Sequence, residues 1–191
     1  MANTQPYEVI AGPADVFFAP TGSTFPATTE QPGTAWKKVG YTDGGVKVAS
    51  PQTVVALRAD QVTGPIKAVR SEEDLQITFG IASVTLANYA LALNQAIAGP
   101  TDGSGDKSVK LYRGGSQVET LALLVRNDHL SPYGDFPLQF EVPVCYQSGN
   151  PEVDFVKDNK SVLACQFDVI VDPNRDNDGE SFGRVRAGDG T

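Results

Sequence analysis

A single histidine, two cysteines and a short polar run near the carboxyl end are the residues of this chain whose types could do chemistry. His129 stands in Arg126-Asn127-Asp128-His129-Leu130-Ser131-Pro132, where a base, a carboxylate and a hydroxyl are sequence neighbours. A nucleophilic triad needs these groups converging from separate elements beside oxyanion donors. No Gly-x-Ser-x-Gly turn accompanies them, so no catalytic role is expected. Asn174-Arg175-Asp176-Asn177-Asp178-Gly179 imitates the first half of a calcium loop. The position that requires a bidentate Glu is occupied by Val185 and no helix pattern flanks the run, so it reads as a solvated acidic turn. Gly103-Ser104-Gly105 and Gly114-Gly115 do not join a strand to a helix as a phosphate cradle must, and read as turns. Cys145 and Cys165 lack Cys-x-x-Cys spacing and lie in strand-like segments, which predicts buried thiols kept reduced in a cytoplasm. Tyr41, Tyr112, Tyr133 and Tyr146 are scattered without basic neighbours, so they read as core or interface residues and not as base-stacking platforms. The expectation is a protein with no enzymatic activity, cofactor or metal.

The elements must then carry the function. The 191 residues are 40% apolar, with nineteen Gly and thirteen Pro, which predicts one domain of short strands joined by many turns. The net charge of −8 argues against stable nucleic-acid binding, because affinity for phosphates comes from Lys and Arg displacing counterions. The same charge suits a surface past which DNA must slide. The first eight residues have no basic region followed by an apolar run, so no secretory signal is expected. No stretch has the length of apolar sequence that a membrane helix needs.

Along the chain, Ala14–Ala19 reads as a strand closed by Pro20 and Gly22, followed by an exposed loop to Ala35 that Trp36 anchors to the core. A turn at Asp43-Gly44-Gly45 leads into a long hairpin over residues 46–70. Glu73–Ile81 alternates, with Leu75, Ile77, Phe79 and Ile81 on one face. Ser83 is placed to cap a helix over residues 84–98, with Leu86, Ala90, Leu93 and Ile97 as its apolar stripe and Gly99-Pro100 as its stop. A further hairpin is expected from residues 109–112 and 118–125, then strands over 138–146 and 161–171, with 151–156 as an extended edge piece. Residues 173–191 have hardly any apolar anchor and are expected to form a flexible arm. The fold class is mainly β: two packed antiparallel sheets with one flanking helix and long loops.

In the well-patterned strands the non-core side carries Asp74, Gln76 and Thr78, then Gln139 and Glu141, then Gln166 and Asp168. These include three carboxylates and no Lys or Arg. Such a face is either a solvated sheet surface, common in antiparallel sheets, or the wall of a channel that repels polyphosphate.

Ala11-Gly12-Pro13-Ala14-Asp15-Val16-Phe17-Phe18-Ala19-Pro20-Thr21-Gly22-Ser23-Thr24-Phe25-Pro26, then Trp36-Lys37-Lys38-Val39-Gly40-Tyr41-Thr42, resembles the tail tube proteins of long, non-contractile-tailed bacteriophages. Ser23 stands where Thr is common, and Ser83 where Glu is. The resemblance continues through Arg58-Ala59-Asp60-Gln61 and Gly64-Pro65-Ile66 to the helix opening at Thr85, and spans roughly residues 8–172. It implies a structural virion protein that self-assembles into stacked hexameric rings around a tape-measure protein. Other tail proteins sit at the tube ends, and double-stranded DNA passes through without specific binding. Neighbouring sheets would join into one inner barrel, with the 46–70 hairpin extending the lumen wall. The loops around residues 20–35 and 99–107 would be disordered before assembly. Asp74, Gln76, Thr78, Glu141 and Asp168 would face the lumen. The virion tail is the expected location, assembled in the host bacterial cytoplasm. The alternatives are another virion β-protein, such as a capsid decoration or minor tail component, and a carbohydrate-binding β-sandwich.

Overall fold

The computed structural model describes residues 12–95, 107–111, 117–127, 137–155 and 157–188. His129 with Asp128 and Ser131, both Gly-rich turns, Tyr112, Tyr133, Val156 and the 99–106 part of the second loop lie outside them. The elements are β1 (Asp15–Pro20), β2 (Lys37–Lys38), β3 (Thr42–Ala49), β4 (Gln52–Arg58), β5 (Pro65–Glu73), β6 (Gln76–Ile81), α1 (Leu86–Ala92), β7 (Leu121–Asn127), β8 (Leu138–Gln147), β9 (Leu163–Val169) and β10 (Arg184–Ala187). One eight-stranded sheet has the order β2-β1-β7-β8-β9-β6-β3, with β10 also paired to β8, and β4-β5 forms a second sheet. The fold is mainly β, with two antiparallel sheets and one α-helix among the described residues.

Alternation decides the core. Ile77, Phe79 and Ile81 of β6 stand opposite Phe167, Cys165 and Leu163 of β9, and all six are buried in one cluster with Val16, Phe18, Leu123 and Val125. The rings of Phe79 and Phe167 stack at 5.7 Å between centroids. Each fully buried aliphatic or aromatic side chain here contributes about 1.5–3 kcal/mol of transfer free energy. Cys145 and Cys165 are buried free thiols; loss of water pushes the Cys165 thiol up to about 12, and raises that of Cys145 further.

A bulge lets β8 serve this core along its whole length. Its pairing to β7 shifts between Leu121↔Cys145 and Leu123↔Val142, so β8 carries one extra residue near Pro143. Proline, with no N–H for the ladder, is tolerated at such a break. Phe140 and Val142 before the bulge, and Cys145 after it, thereby reach the same cluster.

The helix is shorter than its sequence pattern and starts later. Thr85, not Ser83, is the N-cap, accepting from the Asn88 N–H. Ser83 Oγ instead accepts from the Tyr41 N–H at 3.0 Å. Asn88 Nδ2 donates to the carbonyls of Val39 and Ser83, tying the first helical turn to the segment before β3. Of the expected stripe Ala90 and Leu93 are buried, joined by Leu91 and Ala92, while Leu86 is exposed. Ile97 lies outside the described residues.

Asp43-Gly44-Gly45 is not a turn between strands but a bulge inside β3, where the register to β6 shifts between Asp43 and Val46. Gly44 and Gly45 have φ of 74° and 81°, a region that only glycine enters at low cost. Residues 109–111 of the expected hairpin form no strand, and β7 pairs with β1 and β8. Pro151–Phe155 is likewise not in a strand.

Two segments expected to be free are fastened. The loop after β1 lays Phe25 and Trp36 on Ala19, Ala122 and Leu124, with Trp36 Nε1 donating to the Thr24 carbonyl. Arg126, buried beneath it, donates to the carbonyls of Glu30 and Ala27 at 2.7 and 3.0 Å. Charge-assisted bonds to loop carbonyls hold a polar segment that hydrophobicity alone could not. Beyond Asp172 the chain makes a 3-10 turn over Pro173–Asp178, and β10 then pairs with β8 from Arg184↔Glu141 to Ala187↔Leu138. The expected flexible arm is therefore docked over residues 173–188, through ionic and backbone contacts that an apolar count does not register.

Candidate assembly surface and polar face

The core occupies one side of the eight-stranded sheet, and its other side divides in two. Over β1, β7 and the first half of β8 the loop of residues 21–36 covers it. Over β9, β6 and β3 it carries half-buried and exposed polar side chains. Gln76 lies opposite Asp168, and Thr78 opposite Gln166. Gln76 Nε2 donates to Asp168 Oδ1 at 2.9 Å. Four of the residues picked out by alternation thus form one contiguous polar surface.

The other candidates separate from it. Asp74 lies not in a strand but in the joint between β5 and β6, exposed, with its N–H bonded to the Pro51 carbonyl. Glu141 and Gln139 point to the same side of the sheet but are 0% exposed. Glu141 accepts from Arg184 Nε at 2.7 Å, Arg186 at 3.2 Å and Gln139 Nε2 at 2.6 Å. Its hydrogen bond to Arg184 is the main reason that guanidinium is held above its ordinary value. Glu141 is therefore an ion-pair anchor inside the subunit, a correction to its reading as a lumen residue. The surface is also not free of cations: Lys47 stands opposite Thr78 on β3, and β10 contributes Arg184 and Arg186. These cations sit on strands whose own patterning is weak, so alternation in the strong strands could not reveal them.

Gly183 allows β10 to approach. It has φ of +111°, and a Cβ there would stand 2.0 Å from the Glu141 carbonyl oxygen. Gly183→Ala is expected to undock β10, seen as faster hydrogen exchange at the amides of residues 184–187 with the central strands still protected.

A second surface is the β4-β5 hairpin, which spans Gln52 to Glu73 where a hairpin over residues 46–70 is expected, because residues 46–49 belong to β3 and pair with β6. It continues the β3-β6 pair beyond Pro51 and Asp74, and every residue of its two strands is exposed. Val54, Val55, Leu57, Ile66 and Val69 are among them. An isolated two-stranded ribbon is marginal in water, and among the described residues no further strand joins this one, which leaves apolar side chains on both of its faces exposed. Beside it, β3 stands last in the large sheet, and among the described residues no strand pairs with its outer edge, which makes it a template for pairing with another chain.

Among the described residues no three His, Cys, Asp or Glu side chains gather as a metal site, and no helix is long and apolar enough to cross a membrane. Asp172, just before the calcium-like run, accepts from the Asn174 N–H at 3.0 Å and faces Arg175 at 3.6 Å.

A family model described as phage tail tube protein matches residues 1–177. The chain belongs to the phage tail tube protein family. As a member of that family it is a structural protein of the virion tail tube, which gives the exposed ribbon and the open edge a context of subunit contact. Among solved structures, the chain is similar to one titled "Crystal structure of Hcp protein", at 16% identity and a TM-score of 0.32, covering 83% of this chain and 89% of that one. No curated protein matches it.

Proposed function

We propose that copies of this tail tube protein close into hexameric rings, stack around a tape-measure protein, and later pass double-stranded DNA. The observation that carries this reading is the wholly exposed β4-β5 ribbon beside the open edge of β3. Head-to-tail pairing of such edges closes a ring when the rotation per subunit divides a full turn, and closure removes the edges altogether. The polar surface of Gln76, Thr78, Gln166 and Asp168 then faces the lumen, with Asp74 at its margin. Asp168 and Asp74 supply the repulsive charge, while Lys47 limits it. Assembly takes place in the host cytoplasm, and other tail proteins terminate the tube.

Electron microscopy of the concentrated protein tests the tube; particles with no bore sink it. The lumen assignment is tested by Asp74→Lys combined with Asp168→Lys. Tubes are expected to form, while DNA delivery slows by roughly tenfold or more as added cations bind phosphate. The defect should shrink at high salt. Unchanged delivery from tubes bearing both lysines places these residues elsewhere.

A further inference from the structure

Resting on the tube reading, we infer that β10 is exchanged between copies in the assembled tube, each copy's Arg184–Ala187 strand pairing with β8 of a neighbour. The argument begins with what holds β10. Its ladder to β8 spans four residues, and its apolar side chain, Val185, remains 55% exposed. Val185 borders an open cavity of about 340 Å³ with Val48, Leu75 and Phe140, so close packing does not fix the strand. Attachment rests on backbone pairing and on Arg184 and Arg186, contacts that reform equally well wherever the same strand meets the same acceptor.

The acceptor, by contrast, cannot stand empty. Glu141 is fully buried, and its two cations both belong to β10. A buried carboxylate without a cation is strongly unfavourable, so the site demands an Arg-bearing strand in the geometry of β10. The partner that supplies this without any new complementarity is a second copy of β10, which is why strand exchange is a low-cost route to association.

The connector permits it. Residues 170–183 separate β9 from β10, and Gly179 and Gly183 adopt positive φ within it. Extended, such a segment reaches about 45 Å, comparable with the roughly 40 Å width of a subunit of this length. Its own contacts are polar or lie at the surface: Arg175 with Asp172 and Glu180, and over the Phe25 ring at 5.4 Å. Ile170 and Val171 are exposed. Glu180 pairs with Arg184 and travels with the strand.

The test uses the Val185↔Phe140 register. Full-length Val185→Cys and Phe140→Cys variants are mixed, assembled into tubes, oxidised, and run on a non-reducing denaturing gel. Cys145 and Cys165 are buried and stay out of the reaction. Exchange predicts a two-chain band from mixed tubes and none from the unassembled mixture. The double variant closing within one chain inside tubes, with no cross-chain band from the mixture, overturns the proposal. If Phe140→Cys fails to fold, the Ala187→Cys and Leu138→Cys pair reads the same ladder. Absence of tubes from the parent protein defeats the tube reading instead, and microscopy before oxidation separates the two failures.

Discussion

Val54→Asp combined with Leu57→Asp abolishes tube formation at concentrations where the parent assembles, while the subunit melts within about 2 °C of the parent. The two positions lie on opposite faces of the β4-β5 ribbon, and each faces a cation across it: Val54 opposite Arg70, Leu57 opposite Lys67. The new carboxylate at position 57 gains Lys67 and the one at position 54 shares Arg70 with Glu73, which offsets part of the strand propensity lost with the apolar side chains. Both parent side chains are exposed in the subunit, so folding loses little. Covered by a neighbour, each gives up about 1 kcal/mol of apolar burial and adds the cost of desolvating a carboxylate. A total near 3 kcal/mol per subunit raises the concentration needed for assembly roughly a hundredfold. Sedimentation and microscopy read assembly, and calorimetry reads the subunit. Tubes at unchanged concentration would show that the ribbon is not an interface.

Phe167→Ala acts on the other side of the same economy of contacts, where folding itself is at stake. Phe167 is 0% exposed, stacks on Phe79, and lies opposite Ile77 at the centre of the cluster. Removing the ring leaves a cavity on the core face of the β6-β9 pair and costs about 3–5 kcal/mol, a large share of the roughly 5–15 kcal/mol that keeps a domain folded. For a chain of this size that lowers the melting temperature by about 6–20 °C. Denaturant titration should show a lower midpoint with the slope unchanged. A shift under 2 °C would mean that the core closes around the gap, contrary to its close packing.

The two predictions divide as the legible and illegible parts of this protein do. Ile77, Phe79 and Ile81 in strict alternation were enough to identify a strand and its buried face, because the period of two is a local property of the backbone. For the same reason Gln76, Thr78 and Asp168 were found on a shared polar surface before their partners were known. The element order through Trp36, Gly40 and Tyr41 carried the family likeness. Glu141 obeys the same alternation and points to the same side of the sheet, yet it is sealed by Arg184 and Arg186 from a segment that reads as an unstructured arm. Ser83 has the chemistry of a cap, but the neighbouring Tyr41 N–H claims its oxygen and leaves the role to Thr85.

Strand periodicity, the mainly β character and the inward set of the core belong to the sequence alone, since each depends on residues a few positions apart. Which outward face stays wet, which carboxylate is neutralised, and which ribbon remains uncovered were decided only by tertiary structure. Burial and ion pairing depend on groups as far apart in the chain as Glu141 and Arg184 or Arg126 and Ala27, and no local pattern encodes such meetings.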